Sequence, residues 1–124
     1  MLKSLMIVFL GGGIGSAFRY ATQVCLHERI LPYQFPYATL TVNVLGCFFI
    51  GLFYAWSARF NWNPEWRLLL TTGLCGGFTT FSTFCNDGLL MYRQGAIGWF
   101  IFYFILSLTL GLLAVVAGGW IGNK

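Results

Sequence analysis

Charged positions are so sparse along this chain that the apolar intervals between them define its elements. Arg29 and Arg59 are separated by 29 uncharged residues, Arg67 and Asp87 by 19, and Arg93 and Lys124 by 30. A membrane-spanning helix needs roughly 20 mostly apolar residues, so each interval holds one. The run from Ser4 to Leu26 is also long enough, although Arg19 interrupts it. The pattern predicts four transmembrane helices, near 4–26, 36–58, 66–92 and 96–121, in one all-α membrane domain over 1–124. The connectors are short: HERILPYQFP at 27–36, ARFNWNPEW at 58–66 with Pro64 just before the next helix, and YRQGAIGW at 92–99. Trp56, Trp62, Trp66, Trp99 and Trp120 fall at or near the predicted ends, as an interfacial aromatic belt does.

Composition agrees with this reading and excludes a soluble domain. The chain is 58% hydrophobic and 8% charged, against about 25% charged in a soluble globular domain. Lys3, the apolar run to Leu10 and Gly15–Ala17 could pass for a secretory signal peptide. That pattern is loose, and cleavage would remove a glycine-rich face. The net charge of +4 reflects topology rather than nucleic-acid binding. With both termini on one side, that side receives Lys3, Arg59, Arg67 and Lys124. The other receives Arg29 and Arg93, and Arg19 stays within its helix. This weak positive-inside bias permits termini inside and also suits a protein that inserts both ways round.

Little metal or redox chemistry is indicated. Cys25, Cys47, Cys75 and Cys85 form no C-x-x-C pair, and all lie within or at the end of predicted spans. Buried cysteine mostly behaves as a small hydrophobe. His27, beside Glu28 and Arg29 at a helix end, reads as an interfacial loop residue rather than a catalytic base.

Three helices carry a small or polar stripe: Gly11, Gly15 and Arg19; Thr39, Asn43 and Gly46; Tyr103, Ser107 and Gly111. Such stripes are the usual helix–helix seams in lipid. GGGIGS does not satisfy G-x-G-x-x-G, and no βαβ unit surrounds it. Arg19 and Asn43 ask for more than packing. An Arg toward the bilayer centre costs at least about 2.5–3.5 kcal/mol, so it faces water, a partner or an ion unless it snorkels to the helix end. Asn43 lies mid-span, where its amide either ties helices together or offers N–H donors to a ligand.

The third span holds GLCGGFTTFSTFCND at 73–87. Glycine in a helix interior costs about 1 kcal/mol relative to Ala, and the reading places a break across Gly76, Gly77 and Thr79, near the middle of this helix. A discontinuous membrane helix is tolerated where its loosened backbone is buried in protein or faces a cavity. Its free carbonyls bind cations and its helix N-termini favour anions. Beyond the break Thr80, Thr83 and Asp87 share one face, with Phe81 and Phe84 on the next. A phenylalanine ring has a positive edge, so ring edges can line an anion's path without a charge that would trap it. Hydroxyls, an amide and a distant Arg complete a route for a small anion, and residue chemistry alone does not name the ion.

At these positions the sequence resembles the Fluc (CrcB) fluoride channels. GGGIGSAFRY at 11–20, TLTVNVLGCFFIG at 39–51 and GLCGGFTTFSTFCND at 73–87 look like that family's three signature stretches, the third being very specific. The resemblance implies a bacterial inner-membrane protein that is no enzyme and forms an antiparallel, dual-topology homodimer with two fluoride pores. It implies that Phe81 and Phe84 match the paired pore phenylalanines, Asn43 the pore asparagine and Arg19 the vestibule arginine. Carbonyls of Gly76 and Thr79 would match those holding a structural sodium ion at the dimer interface. Tyr103 and Ser107 look like part of the family's polar track, and Thr39, Thr80 and Thr83 are placed on the same ion pathway. Asp87 stands where some members carry Glu, which leaves its role open.

Two other classes fit less well. Small multidrug exporters share the size and dual topology but depend on a carboxylate inside the first helix, whereas the acidic residues here are Glu28, Glu65 and Asp87. A purely structural subunit leaves Arg19, Asn43 and the interrupted third helix unexplained together. An enzyme fits least, for want of a plausible nucleophile–base pair.

Overall fold

The structure, a computed structural model, describes residues 1–29 and 35–124, with the side chains of residues 27–29 left aside. Most of the connector read around His27 therefore lies outside the described residues. The regular elements among the described residues are all helical: α1 (Leu2–Arg29), α2 (Tyr37–Arg59), α3 (Pro64–Arg67), a π-helical segment (Leu68–Cys75), α4 (Gly76–Phe78), α5 (Phe81–Arg93) and α6 (Ile97–Gly122). Among the described residues four helices are long and apolar enough to cross a membrane: Leu2–Leu26, Tyr37–Arg59, Pro64–Arg93 and Ile97–Gly122. They match the expected spans within a few residues.

Local chemistry sets the third span's start. Pro64 occupies the first helical turn, where its missing N–H costs nothing, and the Asn63 side chain accepts the Glu65 N–H at 3.0 Å as N-cap. Thr71 Oγ1 donates to the Arg67 carbonyl at 2.6 Å, within a stretch whose ladder has widened to the i→i+5 pattern. Such widened turns are rare and concentrate at functional sites.

The expected break at Gly76, Gly77 and Thr79 needs correction for the two glycines, because both are helical. Extended dihedrals occur instead at Thr79 (φ −86°, ψ 161°) and Thr80 (φ −151°, ψ 117°), between α4 and α5. Gly77 is there for close approach: a Cβ on it would stand 2.9 Å from Gly12 Cα and 3.0 Å from Gly12 C. Backbone cannot yield as a flexible side chain can, so the bare glycine face lets α1 lie directly on the third span.

Helix contacts place α1 against the π-segment and α4, α2 against the π-segment, and α6 along α2, while α5 leans on α6. The Gly11 and Gly15 stripe is thus a packing seam. The α2–α6 seam is also glycine-lined, at Gly51 and Gly118: a Cβ on Gly118 would lie 2.9 Å from the Leu52 nitrogen. Lys3 Nζ pairs with Glu65 Oε1 at 2.8 Å, and a Cβ on Gly122 would lie 2.6 Å from the Ala55 Cβ. Both termini and the 60–63 connector therefore share one end of the bundle.

Candidate functional site

The two extended residues leave backbone groups without helical partners, and an unpaired amide or carbonyl away from water costs about 1–3 kcal/mol. Asn43 on α2 meets that need at Thr80. Its Oδ1 accepts the Thr80 N–H at 2.7 Å, and its Nδ2 donates to the Thr80 carbonyl at 3.1 Å. Of the two readings of Asn43, tying helices together is the one these bonds realise, and among the described residues Nδ2 makes this one hydrogen bond. Thr80 also caps α5, its Oγ1 accepting the Thr83 N–H at 3.2 Å and donating to Thr83 Oγ1 at 3.1 Å.

These bonds have a consequence for the carbonyls upstream. In a continuous α-helix the Gly76 carbonyl would accept from Thr80 N–H and the Thr79 carbonyl from Thr83 N–H. Both donors are diverted, to Asn43 Oδ1 and to Thr80 Oγ1. Gly77 loses its helical donor as well, and α1 replaces it: Arg19 Nε donates to the Gly77 carbonyl at 3.2 Å, with Ser16 Oγ 3.5 Å away. Arg19 is therefore engaged inside the bundle by its Nε rather than drawn out to the helix end. Ser16, one helical turn before Arg19, is a contributor that the sequence reading passed over.

Removing this contact gives a direct check. Arg19→Leu leaves the Gly77 carbonyl with the long Ser16 contact alone. Hydrogen bonds to charged groups are worth about 1.5–3 kcal/mol, so a lowered thermal unfolding midpoint in detergent is expected. Arg19→Lys should recover part of it, and a midpoint equal to the parent's in both variants would show the bond to be dispensable.

A groove of about 320 Å³ opens beside the extended turn, with Asn43, Thr80, Phe81, Phe84 and Ser107 among its walls, together with Gly76 and Thr79. Ser107 Oγ is buried and has no hydrogen-bond partner among the described residues. Phe84 is buried and stacks on Phe104, ring centroids 4.5 Å apart at 27°. Phe81, centred 5.9 Å from Phe84, is 76% exposed. The paired rings thus have unlike surroundings.

Phe84 links the groove to a second polar cluster. Its ring lies 5.1 Å from that of Tyr103, which is fully buried. Tyr103 Oη donates to Asp87 Oδ2 at 3.5 Å, and buried Thr39 lies beside the same pair. The fold so brings together Asn43, Thr80, Phe81, Phe84 and Ser107 at the groove, with Thr83 bonded to Thr80 outside its walls and Thr39, Tyr103 and Asp87 beyond Phe84. Arg19 is not among the groove's walls and meets the third span from α1. Among the described residues, no group of three or more His, Cys, Asp or Glu could hold a metal ion.

Comparison with known proteins covers nearly the whole chain. A protein of Bacteroides fragilis named fluoride-specific ion channel FluC is 50% identical, with 99% of this chain and 98% of the relative aligned. Proteins of the same name from Phocaeicola vulgatus and Escherichia coli are 46% and 41% identical, covering 98% and 94% of this chain and 100% and 91% of theirs. Four apolar spans and bacterial relatives make this a multi-pass protein of the bacterial inner membrane. Residues 6–119 match the family described as CrcB-like protein, Camphor Resistance (CrcB), and the chain belongs to that family.

Proposed function

We propose that this chain is a passive, fluoride-selective channel and no enzyme, working as an antiparallel dual-topology homodimer with two pores. The observation that carries the reading is the groove in which the Phe81–Phe84 pair, the Asn43–Thr80 clamp and the unpartnered Ser107 hydroxyl meet. Relatives at 41–50% identity bear the name of a fluoride-specific channel. A small, strongly hydrated anion loses much on leaving water, so a pore must return that stabilisation through many weak donors. Conduction also needs binding weak enough for release. Ring edges, one amide hydrogen and hydroxyls meet both requirements. The third span serves as an interrupted helix, its turn at Thr79–Thr80 turning the two rings toward the groove. Phe81 stands exposed in the single chain, where a second copy would enclose it, and the four-to-two division of basic residues suits insertion in both orientations.

Sodium enters the same proposal as a structural ion at the dimer interface. Hard cations prefer oxygen ligands, and Gly76 and Thr79, whose carbonyls lack their helical donors, both line the groove. Two antiparallel copies would supply four such oxygens without a carboxylate. The ion would neutralise converging carbonyl dipoles and tie the copies together.

Fluoride release from proteoliposomes, followed with a fluoride-selective electrode, tests the function. Rapid release with no comparable chloride release is expected, and no release above that of empty liposomes would refute it. Release that depends on an imposed proton gradient would favour a proton-coupled exporter instead. C-terminal reporters in both compartments and loss of the dimer on thorough sodium removal are the expected companions. A reporter confined to one side of an active protein, or a dimer indifferent to sodium, would remove the corresponding element.

A further inference from the structure

Cys47 on α2 and Cys75 at the end of the π-segment are distant in sequence, yet both line the groove beside the extended turn. Neither is in a disulfide, and Cys75 is buried at 3% exposure. Gly46, next to Cys47, packs on the third span within one turn of Cys75: a Cβ on Gly46 would stand 3.5 Å from Thr79 Cβ and 3.6 Å from Phe78 Cδ2. Their setting is fixed on several sides. A Cβ on Gly111 of α6 would stand 3.5 Å from Cys47 Sγ. The Cys75 carbonyl accepts both the Thr79 N–H at 3.0 Å and Thr79 Oγ1 at 3.1 Å. Both cysteines thus belong to the wall of one largely apolar groove, which Phe81, Phe84 and Asn43 also line.

We propose that Cys47 and Cys75 form a two-sulfur site for a soft, two-coordinate metal cation, Hg²⁺ above all, and that its occupation closes the route through the groove. Thiolate is the ligand that soft cations select. Each thiol releases its proton to solvent as its sulfur–mercury bond forms, so Hg²⁺ and two thiols give one neutral bis-thiolate and two protons, with no change of oxidation state. Neutrality decides the choice of cation, because uncompensated charge is costly against an apolar wall. A monovalent soft cation held by two thiolates would leave one negative charge there, whereas the mercury complex leaves none. The closing of the route rests on the groove being the fluoride pathway, while the binding itself does not.

The test uses full-length protein carrying Cys25→Ser and Cys85→Ser, which removes the two exposed thiols. Mercuric chloride is added and the protein is passed through gel filtration with equimolar N-acetylcysteine, which strips mercury held by a single sulfur. Retention of about one mercury per chain is expected, with sulfur–mercury absorption in the ultraviolet. Adding Cys47→Ser or Cys75→Ser to this background should cut retention at least tenfold. Retention unchanged in either variant, or absent from the two-thiol protein, overturns the site. In proteoliposomes one equivalent of mercury should slow fluoride release at least tenfold, reversibly with dithiothreitol. Mercury retained while release continues unaltered overturns the closing of the route. No fluoride release before mercury is added would sink the channel reading and leave the binding result standing by itself.

Discussion

Asn43→Asp should lower fluoride release about a hundred- to a thousandfold while the protein still folds. The exchange alters few atoms, yet it replaces an N–H donor with an acceptor and adds negative charge at the groove. Two like charges 4 Å apart at an effective dielectric of 20 repel by about 4 kcal/mol, and each 1.4 kcal/mol of barrier is about tenfold in rate. Folding suffers less, because the remaining oxygen can still accept the Thr80 N–H, a bond of 2.7 Å in the parent. Asn43→Leu is the companion. It carries no charge but strips both partners from the Thr80 peptide, so stability should fall by about 2–5 kcal/mol on the scale of unsatisfied buried groups. An Asp variant that releases fluoride at the parental rate would show that Asn43 is only a clamp.

The paired phenylalanines should separate into a structural member and an exposed one. Ile keeps hydrophobic bulk but removes the electropositive ring edge. For Phe84→Ile both flux and stability should fall, since the ring stacks on Phe104 at 4.5 Å and touches Tyr103 at 5.1 Å. Its loss should lower stability by about 1–3 kcal/mol, less than the full cost of a Phe→Ala change. Phe81 is 76% exposed in the single chain, and substitutions at exposed positions stay within about 0.5 kcal/mol, so any larger loss would come from the second copy proposed to enclose it. A fall of about tenfold or more in release by Phe81→Ile, with an unchanged midpoint, would therefore isolate the ring's part in conduction. Parental release from both variants would reduce the rings to packing.

Charge spacing alone determined the four spans. The cost of placing a charged or apolar residue in lipid depends on that residue and its immediate neighbours, so it can be summed along the chain. That is why boundaries read from Arg29, Arg59, Arg93 and Lys124 lie within a few residues of the helix ends. The signature stretches also singled out Asn43, Phe81 and Phe84, and the fourth helix's polar stripe Ser107; all four line one groove. The partners of these groups were not legible, because hydrogen bonding here is not local. Asn43 reaches a backbone 37 residues away and Arg19 one 58 residues away. Two glycines in a row suggested where the chain would loosen, but helix propensity is a weak prior beside packing. Tertiary contact instead used Gly77 for close approach and put the extended dihedrals at the threonines, where Asn43 and the Thr80 cap replace the lost helical bonds. The Cys47–Cys75 pair was invisible for the same reason: no sequence spacing relates two thiols that only the packing of α2 against the third span brings to one wall.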